Sequence, residues 1–254
     1  MVVTLIASNP IEKRQARQDG SPIIHIAEHF CDTIQGENYV GYPCTFLRLQ
    51  FCTLNCVWCD TLEVWRYGNP YSVEEVYEIW KEKGVIDRLK KGQHLVLTGG
   101  SPIKQQDSLV SLLSKVISRH NFKPFIEIEN ECTLMPNDMM FTFIDRWNNS
   151  PKLENSGMSK KFRYKPEIIK QISEKGNDVC FKFVVTKEEE WQEIMTDFIE
   201  PGLIKKEQVV LMPEGATREE LQKRYNWLVD LCCRENIRFT DRLHVTIWNK
   251  KTGV

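Results

Sequence analysis

Three thiols fall within eight residues, in the run Cys52-Thr-Leu-Asn-Cys56-Val-Trp-Cys59. Gaps of three and two residues let a single tight loop turn all its sulfurs toward one centre. A structural zinc ion takes four protein ligands. No fourth Cys or His stands at a finger-like distance, so zinc here needs His94 or His25 brought in by the fold. Three thiolates on a 4Fe-4S cluster instead leave one iron with an open coordination position that a small chelating molecule can fill, which a four-cysteine site lacks. Cluster ligation is the leading expectation, with a zinc site or three packing cysteines as the alternatives.

Such a loop needs rigid elements around it. Residues 43–50 (PCTFLRLQ) read as a buried strand ending just before the cysteines. Ser72 with Glu75 forms a capping box, and Val73, Val76, Tyr77 and Trp80 mark one face of the helix it opens. Residues 94–97 make a short strand broken by Thr98-Gly99-Gly100, and a helix from about Asp107 follows, with Leu109, Leu112, Leu113, Val116 and Ile117 inward. Further strands are expected at 125–128, 179–185 and 209–212. Thr186 with Glu189 predicts a helix carrying Trp191, Ile194, Met195 and Phe198; Thr217 with Glu220 predicts one holding Leu221, Tyr225, Leu228 and Cys232. Residues 243–248 alternate enough to be an edge strand. Repeated strand, helix, strand without hairpin signals predicts an α/β fold: a parallel sheet with crossover helices, open or partly closed as a barrel. In such sheets chemistry gathers at the carboxyl ends of the strands.

The composition sets outer limits. The chain has 254 residues, enough for a sizeable core, and 34 Lys+Arg against 35 Asp+Glu give a net charge of -1, with no global pull toward nucleic acid or anionic membrane. Hydrophobic residues at 41% and charged residues at 27% describe a folded chain. No apolar run approaches the roughly 18 residues of a membrane span. The opening Met1-Val-Val-Thr-Leu-Ile-Ala lacks a basic leader and does not read as a secretory signal, so a cytoplasmic location is expected. In that reducing setting the nine cysteines do not suggest a disulfide framework. Outside the triplet, Cys31, Cys44, Cys132, Cys180, Cys232 and Cys233 read as core residues. Residues 11–21 read as an exposed lead-in, and the lysine-rich stretch 154–175 as a solvated insertion, the alternative being a patch for phosphate or nucleic acid.

The triplet resembles the cluster motif of the radical S-adenosylmethionine superfamily. There the open iron binds the amino and carboxylate groups of S-adenosylmethionine, and an electron from the cluster cleaves the sulfonium to a 5'-deoxyadenosyl radical. Trp58 matches the aromatic position that packs against adenine. Leu97-Thr98-Gly99-Gly100-Ser101-Pro102 is similar to the superfamily's glycine motif, whose backbone approaches the ligand's ammonium closely. Ser101 stands where many members carry an acid. Within the superfamily, Phe30-Cys-Asp-Thr-Ile-Gln-Gly-Glu-Asn38, Gly41-Tyr-Pro43, Phe46-Leu-Arg48 and the triplet followed by Asp60-Thr61 resemble the opening of the 7-carboxy-7-deazaguanine synthase family. Glu129-Asn-Glu-Cys-Thr133, Ser150-Pro151-Lys152, Leu211-Met-Pro-Glu-Gly215, Arg242-Leu-His244 and Gly253-Val254 extend the similarity along the chain. It implies an N-terminal extension over residues 1–21 and one domain over 22–254, with the modified partial (β/α) barrel of the superfamily.

The resemblance implies a carbon-nitrogen lyase that converts 6-carboxy-5,6,7,8-tetrahydropterin into 7-carboxy-7-deazaguanine with loss of ammonia, for queuosine-type nucleosides. Cys52, Cys56 and Cys59 would hold the 4Fe-4S cluster. Trp58, Cys59, Asp60, Gly100, Glu129, Ser150, Pro151, Lys152, Met212, Pro213 and Glu214 are the implied S-adenosylmethionine contacts. Thr61 is the implied ligand of a magnesium ion, a hard cation suited to oxygen donors. On the pterin, Ile34, Gln35, Gly36 and Glu37 fall at the donor edge, and Arg48 at the carboxylate through a bidentate pair. Thr98, His244 and the Val254 carboxylate match further substrate positions. The implied partners are a flavodoxin or ferredoxin-like electron donor and a second copy of the chain, with no membrane and no nucleic acid. Two rivals remain at this point: an activating enzyme that acts on a partner protein, and a non-catalytic iron-sulfur or zinc protein that binds nucleic acid through residues 160–175.

Overall fold

The computed structural model describes residues 2–7, 14–36, 39–62, 66–249 and 251. Among them, one mixed sheet runs through ten strands. They are β1 (Val3–Ile6), β2 (Ile23–Ile34), β3 (Pro43–Leu49), β4 (Asn69–Ser72), β5 (His94–Gly99), β6 (Ile126–Asn130), β7 (Arg146–Asn149), β8 (Val179–Val185), β9 (Val209–Pro213) and β10 (Arg238–Phe239). The order is β1-β2-β3-β5-β6-β7-β8-β9-β10, with β4 also on β2. From β3 to β10 every pairing is parallel, whereas β1, β3 and β4 all meet β2 antiparallel. This is the expected α/β architecture of parallel strands and crossover helices, part-closed rather than a full barrel.

Side-chain alternation divides each parallel strand between two faces. Leu47, Leu49, Leu95, Leu97, Ile126, Ile128, Phe181, Phe183, Val209 and Leu211 pack into the main core under the helices. The intervening residues, among them Arg48, Thr98, Glu129, Asn148, Lys182 and Met212, face an internal cavity. The outer helices follow their capping signals. Ser72 and Glu75 form the reciprocal capping box of the helix Val73–Glu82, and Thr217 and Glu220 that of Arg218–Glu235. The helix Gln106–His120 buries Leu109, Leu112, Leu113 and Val116.

Four expectations need correction. The 12-residue β2 carries His25, Glu28, His29 and Asp32, and register shifts with Asp32 at φ 60° break its alternation, which hides it from a periodicity search. Its antiparallel pairing with β3 also means the sheet is not built from crossovers alone. Residues 243–248 are a helix, not an edge strand. The edge of β9 is already taken by Arg238–Phe239 and by the Thr240 N–H, which donates to Leu211 O at 2.9 Å, so the following segment turns away. Arg218 then donates to the Thr246 and Ile247 carbonyls and satisfies the end of that helix. The helix expected from Thr186 and Glu189 starts at Glu190, whose carboxylate reaches back to the Thr186 N–H and hydroxyl, and it continues as a wider π turn over Met195–Ile199. Finally, the stretch 154–175 contains a crossover helix, Pro166–Lys175, that buries Ile169 and Ile172.

Cys233 is exposed, while the other five cysteines outside the triplet are buried. Residues 14–21 lie largely on the surface but are tied down: Arg14 and Arg17 pair with Glu75 and Glu78, and Asp19 accepts from Ser72 Oγ at 2.6 Å. Among the described residues no helix is long and apolar enough to cross a membrane.

Candidate active site

A cavity of about 480 Å³ opens beside the carboxyl ends of the parallel strands. The fold brings most of the sequence-derived candidates to its wall. Cys52, Cys56, Trp58, Cys59, Asp60 and Thr61 come from the loop after β3. Ile34, Gln35 and Gly36 follow β2; Arg48, Thr98, Gly100 and Glu129 stand at the ends of β3, β5 and β6; Ser150, Lys152, Met212 and His244 complete the set. Pro151, Pro213 and Glu214 do not border the cavity, and Glu214 is held by Arg224 at 2.8 Å. Glu37 and Val254 lie outside the described residues.

Backbone contacts set the loop. Phe51, at φ 73°, turns the chain out of β3. A Cβ on Gly100 would stand 2.0 Å from Phe51 O, and one on Gly99, at φ 115°, would stand 2.2 Å from Leu49 O. The glycine pair is therefore required by the protein's own backbone at the root of the loop. Within the loop the Leu54 N–H donates to Cys52 Sγ at 3.4 Å and the Cys59 N–H to Cys56 O at 3.2 Å. Thr61 Oγ1 stands 3.7 Å from Cys59 Sγ. Burial raises the Cys52 thiol to about 11 and moves Cys56 the same way. Trp58 donates its indole N–H to Asn155 at 3.2 Å, and Lys152 lies 5.5 Å over its ring. Among the described residues, no three His, Cys, Asp or Glu side chains are grouped tightly enough for a single metal ion. Cys52, Cys56 and Cys59 all stand on the cavity wall, three thiol donors on one loop, which is the donor set of a 4Fe-4S cluster with one open iron.

Buried polar side chains set the strand wall. Glu127, 0% exposed, accepts from Gln35 Nε2 at 3.0 Å and Asn148 Nδ2 at 2.9 Å, and pairs with His94 Nδ1 at 2.7 Å. The other end of the Gln35 amide accepts from the Gly36 N–H at 2.8 Å. Its side chain thus braces the turn, and the turn's backbone faces the cavity. Thr98 donates to Glu129 at 2.5 Å. Burial raises the Glu129 carboxyl above its ordinary range, against the opposing effects of that hydrogen bond and of Arg48. Arg48 pairs with Glu28 at 2.6 Å through one nitrogen, so a bidentate pair with a ligand must use another edge of the guanidinium.

Lys182 projects from the middle of β8, and burial lowers it to about 7. The cavity wall it borders, together with Arg242, Arg48 and Lys182, lowers the His244 imidazole below its ordinary value although about half of the side chain, 48%, is exposed, so the ring is neutral at physiological pH. Arg242 pairs with Asp60 and ties the C-terminal segment to the cysteine loop. Sequence reasoning missed Phe30, Phe46, Glu127, Glu131 and Lys182. The available signal was strand parity: Lys182 alternates with Phe181 and Phe183, and Glu127 with Ile126 and Ile128.

A cysteine loop able to carry an iron-sulfur centre, set at the mouth of a part-closed parallel sheet, defines the radical S-adenosylmethionine class of enzyme. Residues 34–129 match the family described as 4Fe-4S single cluster domain. The chain is 30% identical to 7-carboxy-7-deazaguanine synthase of Halobacterium salinarum, over 93% of this chain and 95% of that one. It is 28% identical to the Pyrobaculum aerophilum protein of the same name, over 92% and 98%. The solved structure of QueE from Escherichia coli shares the fold, with a TM-score of 0.62 at 20% identity, over 87% of this chain and 95% of that one. The chain belongs to the 7-carboxy-7-deazaguanine synthase family.

Proposed function

We propose that this chain converts 6-carboxy-5,6,7,8-tetrahydropterin into 7-carboxy-7-deazaguanine and ammonia, using a 4Fe-4S cluster and S-adenosylmethionine, within queuosine-type deazapurine synthesis. The observation that carries the proposal is that the cysteine loop, the glycine turn and a wall of buried polar side chains border one cavity. Cys52, Cys56 and Cys59 would hold the cluster, which together with S-adenosylmethionine would supply the radical chemistry that begins at C6 of the pterin. Trp58 offers an aromatic edge for adenine; Ser150, Lys152 and Met212 border the same space. Arg48 offers a cation to the substrate carboxylate. Thr98 and Glu129, joined by their hydrogen bond, offer acceptors to ring N–H groups, and the raised Glu129 carboxyl can hold a proton beside them. The depressed His244 accepts a hydrogen bond as a neutral ring.

Magnesium is assigned to Thr61, whose hydroxyl borders the cavity beside Cys59. The electron donor is assigned to the outer side of the cysteine loop, where Val57 is 77% exposed between cluster ligands. A homodimer, a cytoplasmic location and the division into an extension over 1–21 and a domain over 22–254 complete the proposal. The test is anaerobic cluster reconstitution followed by incubation with the carboxypterin, S-adenosylmethionine and a reductant, with product read by mass spectrometry. Stoichiometric deazaguanine is expected. A fully loaded enzyme that yields 5'-deoxyadenosine only when a partner protein is added overturns the proposal.

A further inference from the structure

Glu131 follows β6 and is 5% exposed, yet it stands on the cavity wall. The hydrogen bonds from Thr53, Ser101 and Thr133 all converge on one of its oxygens. Oε1 accepts from Thr53 Oγ1 at 2.9 Å, Ser101 Oγ at 2.6 Å and Thr133 Oγ1 at 2.6 Å. Oε2 is buried and has no hydrogen-bond partner among the described residues. A buried acceptor left unmatched costs on the order of 1–3 kcal/mol, more when it carries charge. On a side chain that borders the cavity, such an atom is complementary to an N–H donor that arrives with a ligand, and best of all to a cation.

The hydroxyls fix where that donor sits. Thr53 directly follows Cys52, and Ser101 directly follows Gly100, so the carboxylate lies between the cysteine loop and the glycine turn. Position 101 itself carries no acid, but its hydroxyl holds one that comes from the next strand.

We propose that Glu131 is the counter-charge for the α-ammonium group of S-adenosylmethionine, a carboxylate supplied from the end of β6 and held in place by Ser101. This rests on the functional reading above. The guanidine-like edge of the pterin is the other source of N–H donors, and the experiment separates the two.

Wild type and Glu131→Gln are reconstituted, their iron content matched, and the affinity of each for S-adenosylmethionine and for its deaminated analogue is read from the perturbation of the reduced cluster's EPR spectrum. Glu131→Gln is expected to weaken S-adenosylmethionine tenfold or more, and the deaminated analogue less than about twofold, since only the former loses a charge-assisted hydrogen bond. The double variant Ser101→Glu with Glu131→Asn, which moves the acid one strand over, is expected to recover most of the lost affinity. Equal losses for both ligands, no loss for either, or a loss confined to the pterin's KM overturns the assignment while leaving the proposed function intact. A loaded wild type that binds no S-adenosylmethionine sinks the functional reading itself.

Discussion

At the cysteine loop the decisive contacts join backbone to backbone, Gly99 and Gly100 against Leu49 and Phe51, whereas on the strand wall they join buried side chains, with Glu127 gathering Gln35, His94 and Asn148. The loop contacts have no slack, because backbone atoms cannot move aside without moving β3 or β5. The side-chain network can lose a partner and keep its geometry, at the cost of unmatched buried groups. One cavity is therefore bounded by a wall that fails sterically and a wall that fails electrostatically. The two failures are separable by experiment.

Gly100→Ala gives the largest effect. Its Cβ meets Phe51 O and lies 2.8 Å from Cys52 N, so the root of the cysteine loop must shift. A loss of about 4 kcal/mol in stability is expected, together with most of the cluster iron. Urea denaturation and iron analysis of the reconstituted protein check both. Full iron content in this variant breaks the contrast between the walls.

Glu127→Gln comes next. The amide keeps one acceptor oxygen, but turns an N–H₂ toward groups that already donate, at about 2 kcal/mol. Gln35 loses its anchor, so KM for the carboxypterin is expected to rise several-fold while cluster content and the affinity for S-adenosylmethionine stay at wild-type values. An equal fall in iron content would show that the two walls are mechanically one.

The same contrast explains what could be read from sequence. Cys52, Cys56 and Cys59 are neighbours in the chain, and a loop's chemistry is written in its local spacing. The parallel strands β3, β5, β6, β8 and β9 are legible because burial on both faces produces near-continuous apolar runs such as VCFKFVV, whereas β7 (RWNN) and the two-residue β10 carry no such run. The strand wall is non-local. Glu127 acquires its meaning only when β2, β5 and β7 deliver Gln35, His94 and Asn148, and Lys182 looks like an interruption of an apolar strand until alternation turns it toward the cavity. β2 escaped because bulges and charged residues hide its period, and residues 243–248 were misread because the edge they were expected to extend had been filled by Arg238–Phe239.

Lys182 gives the smallest change and a pH-dependent one. Burial lowers its folded-state value to about 7 from the ordinary lysine value of 10.5. Between those two values the unfolded chain binds a proton that the folded chain does not, so the lysine's contribution to stability rises with pH across that window. Below about 7 both states are protonated and the full desolvation penalty is present; above about 10.5 it is gone. Lys182→Met removes the titrating group, so it is expected to raise stability by about 1–2 kcal/mol at pH 6, less than the full shift converts to because the methionine surrenders the ammonium's own interactions. The gain should shrink steadily toward pH 10 in urea midpoints measured across that range. A difference that stays constant with pH would show that Lys182 contributes to the strand wall by shape alone, like the glycines of the loop.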